Sequence, residues 1–435
     1  MTAMLKTYLD ALRTAPQYRW AGSVRQAIGQ LVESEGPFCS VGECCSIRDS
    51  NGVSHAGQIV GFRGAVVLSM LLASTGGVRY GDRVETDGRR PSIGVSPAML
   101  GCAIDGAGQS LEAGKGYCAV ENRPLDAPPI SPLDRVPIHE PIGCGVRAID
   151  GLLTCGRGQR IGIFGGSGVG KSTLLGMMAR GTSADLTVMA LIGERGREVR
   201  EFLEDTLGDE GRRRSVVVVS TSDQSPLLRI RAAMAATAIA EYFCDQGKQV
   251  LLVLDSITRL AMAQREVGLA AGEPPTAKGY TPSVFGMLAR LIERAGCREK
   301  GSITAFYTVL MEGDDQQDPI VDAVRSLLDG HVVLDRRLAA EGHYPPVNIL
   351  DSLSRLMPKV CSAEHLAKAS EVRRLLAAYH RSDDLIRIGA YQKGTDAVLD
   401  RALELLPQIN AFLRQGGAEL APLSETLKRL SRLPV

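Results

Sequence analysis

Hydrophobic and polar positions follow three different rhythms along this 435-residue chain, and each predicts a different kind of element. Between residues 18 and 90 the apolar runs are short, at 44–47, 58–62 and 65–70, and are cut by Gly-Pro, Asn-Gly and Gly-Asp turns. Strand-length runs punctuated this way predict a small all-β domain of the kind that can close into a barrel. Between residues 91 and 361 the runs at 160–164, 186–192, 216–220, 250–254 and 303–310 are apolar without alternation. Such runs are expected of strands buried on both faces of a parallel sheet. Helical spacing appears between them. Phe285, Leu288 and Ile292 recur on one face, and Pro226 is positioned to open a helix carrying Leu227, Ile230, Met234 and Ile239. The middle unit therefore reads as α/β. Its leading part, ENRPLDAPPISPLDRVPIHEP at 121–141, is too proline-rich for a helix or a central strand and predicts an extended connector wrapping the α/β unit. From 362 to 435, Leu366, Val372, Leu375, Leu376 and Tyr379, then Val398, Leu399, Leu403, Leu406 and Phe412, predict a helical C-terminal domain. Residues 1–17 gather Leu5, Leu9 and Leu12 near one face, which fits either a short amphipathic helix or a partly ordered terminus.

Charge and cysteine usage narrow the functional classes. Fifty basic against 49 acidic residues leave a formal charge of +1. No global field then draws the chain to a polyanion, although a local patch in a ring pore would escape this count. A dedicated nucleic-acid binder is not expected. No apolar run reaches the ~20 residues that span a bilayer, and the first residues lack the pattern of a secretory signal. A cytoplasmic protein is the expectation. The ten cysteines lack paired CxxC spacing and the six histidines form no HxxxH or ExxH cluster. Reduced thiols and no protein-ligated metal cluster are expected.

The sharpest chemical signal is GGSGVGKST. Gly165, Gly166, Ser167, Gly168, Val169, Gly170, Lys171 and Ser172 match GxxxxGK[ST], followed by Thr173, with a strand-like RIGIF before the motif and a helix-like STLLGMMAR after its lysine. The glycines let the backbone curl around phosphate oxygens, and the N–H groups and helix N-terminus supply directed positive potential. Lys171 is expected to reach the β- and γ-phosphates of ATP, and the Ser172 hydroxyl to ligate Mg2+. A second signal, VLLVLDSITR, delivers Asp255 to a strand end, where its carboxylate can hold the magnesium or its water shell. The alternative is Asp255 as a helix cap. Arg259, one turn on, organises a ring interface or pairs with an acid. The third signal is LIGERGREVREF, where Glu194 emerges just beyond a buried strand, at the edge where ligands of parallel sheets sit. Glu194 is the candidate for orienting and polarising the attacking water, with Arg195 stabilising charge or locking the loop.

These segments, together with TSDQSP, GSITAFYTVLMEGDD, VRSLLDGHVVLDR and GHYPPVNILDSLSRL, resemble the ATPases of bacterial type III protein secretion and flagellar export, a family similar to the catalytic subunit of rotary ATP synthases. The resemblance covers nearly the whole chain. It implies an N-terminal β-barrel over 18–90, a connector and RecA-like P-loop catalytic domain over 91–361, and a helical domain over 362–435. By position it implies the P-loop lysine and Mg-binding hydroxyl at Lys171 and Ser172, the water-activating glutamate at Glu194 with Arg195 beside it, and the Walker B aspartate at Asp255. It further implies Tyr344 stacked on adenine, Gln392 near the base, and Arg355 as a finger inserted into the neighbouring subunit's site.

Because one chain carries both Glu194 and the Arg355 match, a ring of identical subunits can complete every site, six by resemblance. The family implies ATP hydrolysis that releases chaperones and unfolds effectors at an export apparatus on the inner membrane, with central-stalk and stator-like partners. The wording around VRSLLDGH and the compact chain favour the virulence-type injectisome, with flagellar export as the alternative. Pro346 and Asn348 in HYPPVN and Lys393 in YQKG depart from the family pattern at the pocket wall or a loop. The segment GYTPSVF at 279–285 is expected to face the ring centre or to be a static surface turn. A ring helicase would need a basic or aromatic track, whereas Arg48, Arg63, Arg79 and Arg83 are scattered among acids. A noncatalytic ring subunit would not need Glu194.

Overall fold

The computed structural model describes residues 19–73, 75–311 and 317–435. The expectation for residues 1–17 lies outside them. The first rhythm folds into six strands: β1 (Trp20–Ile28), β2 (Leu31–Glu35), β3 (Cys44–Arg48), β4 (Ser54–Arg63), β5 (Val66–Leu71) and β6 (Arg83–Thr86). They close in the order β1-β2-β5-β4-β3-β6 with every pair antiparallel. Closure removes sheet edges, and the inward positions Val24, Val32, Ile47, Ile59, Leu71 and Val84 fill the interior.

The middle of the chain builds the main sheet from β7 (Ala103–Asp105), β8 (Arg160–Gly165), β9 (Leu186–Glu194), β10 (Ser215–Thr221), β11 (Gln249–Asp255), β12 (Ser302–Leu310), β13 (Gly330–Leu334) and β14 (Val347–Ser354). Across the sheet the order is β14-β13-β8-β12-β11-β9-β10-β7, with Gly296–Cys297 paired to β12. Pairing is parallel from β13 to β7, and β14 runs antiparallel to β13. The unbroken apolar runs are explained by burial on both faces: eight of the nine residues of β9 are buried. Helices α1 (Lys171–Gly181), α2 (Pro226–Asp245), α3 (Ile257–Ala271) and α4 (Pro282–Ile292) supply the covering layers. Pro226 opens α2 as the sequence predicts, with the Ser225 hydroxyl accepting from Leu228 N. The connector carries a short strand, Glu121–Pro124, paired with Ser92–Val95, and one tight turn at Pro132–Asp134.

The C-terminal rhythm gives α5 (Ala363–Arg387), α6 (Ala397–Leu413) and α7 (Leu423–Ser431). Their apolar stripes, including Val372, Leu375, Ile409 and Phe412, join the core on one face of the main sheet. Among the described residues, no helix is long and apolar enough to cross a membrane.

Candidate active site

Three parallel strands end at one edge of the sheet and deliver the chemistry. β8 runs into the glycine loop, where Gly168 and Gly170 adopt positive φ of 77° and 90°, a backbone that residues with a Cβ rarely take. The loop ends in α1, whose first residue is Lys171. Asp255 closes β11 and lies level with Leu191 of β9, so Glu194, three residues further on, projects just past it. The Lys171 ammonium lies 2.8 Å from Asp255 Oδ1. The same oxygen accepts a hydrogen bond from Thr308 Oγ1 at 2.6 Å, so the carboxylate is held from two sides. Capping of α3 falls to Ser256, whose hydroxyl accepts from Arg259 N, and this leaves the Asp255 carboxylate to the site.

Ser172, Glu194 and Asp255 line a common cavity of about 140 Å3, together with Glu198, Phe202 and Thr206. A larger cleft of about 440 Å3 lies between the β13–β14 region and α5 and α6, but it contains none of the P-loop residues. Burial pushes the Glu194 carboxyl up to about 7, reinforced by the neighbouring Asp255 and Glu198 and opposed by Lys171 and Arg259. A carboxylate poised near neutrality suits proton transfer at ordinary pH. Of the two readings of Arg259, the structure shows the acid pair: its Nε lies 3.9 Å from Glu194 Oε1. Arg195 is largely exposed and pairs with Glu198 Oε1 at 3.3 Å, which ties the loop after β9 to the cavity wall.

Tyr344 stands at the mouth of the loop, half exposed. A Cβ built on Gly170 would lie 3.5 Å from Tyr344 Cε1 and 4.0 Å from Pro346 Cδ, so ring and proline both border the P-loop. Asn348 instead organises its own turn, donating to Asp351 Oδ2 at 2.8 Å and accepting from Leu350 N. Gln392 lies on the exposed turn after α5, where its carbonyl accepts from Thr395 Oγ1 at 2.7 Å. Among the described residues no hydrogen bond joins it to Tyr344 or the P-loop.

Arg355 is not brought to its own chain's phosphate loop. β14 starts beside the P-loop edge, where Val347 pairs with Leu334, and ends at the opposite edge, where Ser354 pairs with Gly330. Arg355 follows at once and is exposed. Its guanidinium makes no hydrogen bond or ion pair among the described residues.

The segment 279–285 is partly packed and partly open, with Pro282 exposed and Ser283 and Phe285 half-buried. Tyr280 and Thr281 are buried, the Tyr280 ring packs against Phe285 with centroids 6.5 Å apart, and α4 begins at Pro282. The exposed stretch is 274–278, so a surface-facing tip lies there. Sequence reasoning missed Thr308, Phe202 and Thr206. Thr308 carries a legible signal, a hydroxyl near the end of an apolar strand adjacent to the Walker B strand. The other two sit on a wide π-type turn over Phe202–Leu207 that local spacing does not announce.

Residues 145–354 match the nucleotide-binding domain of the ATP synthase alpha/beta family, and residues 361–432 match the C-terminal domain of the type III secretion ATPase EscN. The flagellum-specific ATP synthase of Bacillus subtilis (strain 168) is 50% identical over 433 residues, spanning 98% of each chain. The type 3 secretion system ATPase of Xanthomonas euvesicatoria is 46% identical, spanning 99% of this chain and 98% of its own. The chain belongs to the flagellar and type III secretion ATPase family. The assembled ATPase EscN from the enteropathogenic E. coli type III secretion system superposes with a TM-score of 0.89 at 45% identity, covering 95% of this chain and 99% of that one. As a member of this family the chain is an ATP-hydrolysing P-loop enzyme, and its barrel, RecA-like sheet and helical domain are the family's architecture.

Proposed function

We propose that this ATPase works as a ring of identical subunits, six by family resemblance, in the cytoplasm at the inner-membrane face of a type III secretion apparatus. There ATP hydrolysis energises chaperone release, effector unfolding and export. Gly165 to Thr173 cradle the phosphates, Lys171 pairs with the β- and γ-oxygens, Tyr344 stacks on adenine, and Gln392 approaches the base when nucleotide is bound. Glu194, in its carboxylate form, orients a water toward the γ-phosphorus and takes up its proton. Arg195 steadies that loop. Lys171 and Arg355 neutralise charge on the transferring group.

The donor set fits Mg2+. Ser172 and Asp255 offer only oxygen atoms to the cavity, and hard cations prefer such ligands. Among the described residues no cluster of three or more His, Cys, Asp or Glu is arranged to hold a metal. The remaining ligands would then be phosphate oxygens and water, the usual arrangement for magnesium. The bound ion would supply charge neutralisation between the β- and γ-phosphates.

The observation that carries the ring is the position of Arg355 at the sheet edge opposite its own P-loop. If it acts on a phosphate, that phosphate belongs to a neighbour. The test mixes Arg355→Ala, which has a sound P-loop and no finger, with Lys171→Ala, which has a sound finger and a poor P-loop. Each alone should be nearly inactive, and rings containing both should recover phosphate release at Arg355→Ala sites. Absence of recovery in rings proven to be mixed would overturn the trans-finger reading.

The solved structure of EscN with its central stalk EscO, with a TM-score of 0.87 to this chain, supports a stalk partner here. A stator-like regulator is proposed by family resemblance. A second reading, flagellar export, has its own support: the flagellum-specific relatives from Bacillus subtilis and Pseudomonas aeruginosa are 50% and 51% identical. Deleting the gene separates the two. Loss of effector secretion with motility intact supports the injectisome, and the reverse supports the flagellar machine.

A further inference from the structure

The exposed guanidinium of Arg355 grows from a backbone anchored on a buried polar cluster. Arg355 N donates to the Asp329 carbonyl at 3.0 Å. The same carbonyl accepts Gln159 Nε2 at 3.1 Å, and Gln159 Nε2 also reaches Ser354 Oγ at 3.2 Å. Ser354 Oγ donates in turn to the Thr154 carbonyl at 2.8 Å, and Gln159 Oε1 accepts from Gly156 N at 2.7 Å. Gln159 is fully buried and Ser354 nearly so. The Asp329 carboxylate meanwhile clasps Arg160, taking its backbone N at 3.1 Å, Nε at 3.1 Å and Nη2 at 3.2 Å. Gly330 keeps the strands at this spacing, because a Cβ there would lie 2.6 Å from the Leu353 carbonyl oxygen and 3.2 Å from Gln159 Nε2.

Arg160 is the first residue of β8, and the other end of β8 is the P-loop. We propose that Asp329, with Gln159 and Ser354, is the positioning device for the Arg355 finger, clamping its root to the strand that carries the subunit's own P-loop. The proposal rests on the reading of Arg355 as a finger. None of the three side chains lines the cavity of Ser172, Glu194 and Asp255, so they are expected to act through Arg355. A finger is worth about 10^3 to 10^5 in rate. Because a misplacement of ~1 Å can cost ~100-fold, a loosened root is expected to be felt in kcat. Glu293, 2.5 Å from Arg160 Nη1, keeps the Arg160 charge paired when Asp329 is neutralised.

The alternative is that the cluster merely holds the edge of the sheet, and mixed rings separate the two. Asp329→Asn alone is expected to lose at least about tenfold in kcat while KM for ATP stays within about threefold, as for a damaged finger with a sound P-loop. Mixed with Lys171→Ala, which donates an intact finger, it should recover hydrolysis. Mixed with Arg355→Ala it should show no more activity than Asp329→Asn alone. A merely structural defect would damage the subunit's own site as well and give no recovery with Lys171→Ala. Ser354→Ala should follow the same pattern with a smaller loss, and it decides the matter if Asp329→Asn does not assemble. Unimpaired kcat in both variants, or no recovery with Lys171→Ala in rings shown to contain both proteins, overturns the proposal. Failure of the Arg355→Ala with Lys171→Ala control removes the finger itself, which distinguishes loss of that premise from loss of this inference.

Discussion

Glu194 is the carboxyl proposed to activate water, and its surroundings fit that role. It is partly buried beside Asp255 and Glu198, which raises its pKa to about 7, while Lys171 and Arg259 prevent a larger rise. Glu194→Gln keeps the shape and removes the charge. The expected outcome is retained ATP binding and ring assembly with steady-state hydrolysis reduced at least about 100-fold, the range over which positioned acid–base groups contribute. Nucleotide binding and phosphate release measured on one preparation check this, and wild-type turnover would remove Glu194 from the role. The motif GER placed Glu194 just beyond a strand read as 186–192, whereas the strand runs on to end at Glu194 itself. Its partner Arg259, and Thr308, which holds the neighbouring Asp255, come from elsewhere in the chain, and only strand order brings them within reach.

Elements show where sequence pattern and packing disagree. A glycine inside α1, Gly176, looks like a position that alanine would improve, by about 1 kcal/mol of helix propensity. In the fold, a Cβ there would lie 2.2 Å from Thr206 Cγ2, on the wide turn that lines the site. Overpacking of this kind costs about 1–3 kcal/mol, so the clash wins. Gly176→Ala is expected to lower the melting temperature, and a rise would show that the turn yields freely. The helix Arg147–Leu152 holds a second case. Its Asp150 is fully buried and accepts from Cys144 N at 2.8 Å and Gly145 N at 2.9 Å. Burial pushes its carboxyl from 3.8 up to about 7, against the pull of those N–H groups. A raised folded-state pKa means that the folded protein binds the proton more tightly, so this stability contribution is present below about pH 4 and lost as pH rises through about 7. Asp150→Asn removes the titration. Urea midpoints of the two proteins should shift in favour of the Asn variant between pH 5 and pH 8, and parallel midpoints across that range would contradict the assignment.

The whole molecule is held together by contacts between segments hundreds of residues apart. Arg147, nearly fully buried, donates from Nε to the Phe412 carbonyl at 2.9 Å and also binds the Arg414 carbonyl and Glu419. Gln415, in the same segment after α6, accepts from Arg147 N at 2.8 Å, and its own N donates to the Tyr344 carbonyl at 2.8 Å. The C-terminal domain therefore braces the aromatic beside the P-loop. Removing the guanidinium leaves the buried Phe412 carbonyl without its donor, at a cost of about 1–3 kcal/mol. Arg147→Leu should loosen residues 412–419, seen as faster amide exchange there, and raise KM for ATP more than it lowers kcat. Unchanged exchange with unchanged KM would show that the brace does not reach Tyr344.

The sequence by itself determined the three rhythms, the buried parallel strands and the P-loop, because burial, helical spacing and phosphate cradling each impose a local pattern that residues must satisfy where they stand. Glu194 and Asp255 were legible for the same reason, as carboxylates at the ends of apolar strands. Only the tertiary structure decided that Thr308 holds Asp255, that Arg259 faces Glu194, that Tyr280 is buried, and that Arg355 leaves the sheet at the edge opposite its own P-loop. These facts depend on strand order and direction. Hydrogen bonds between distant strands set both, and no spacing along the chain records which strand lies beside which or which way an added edge strand runs.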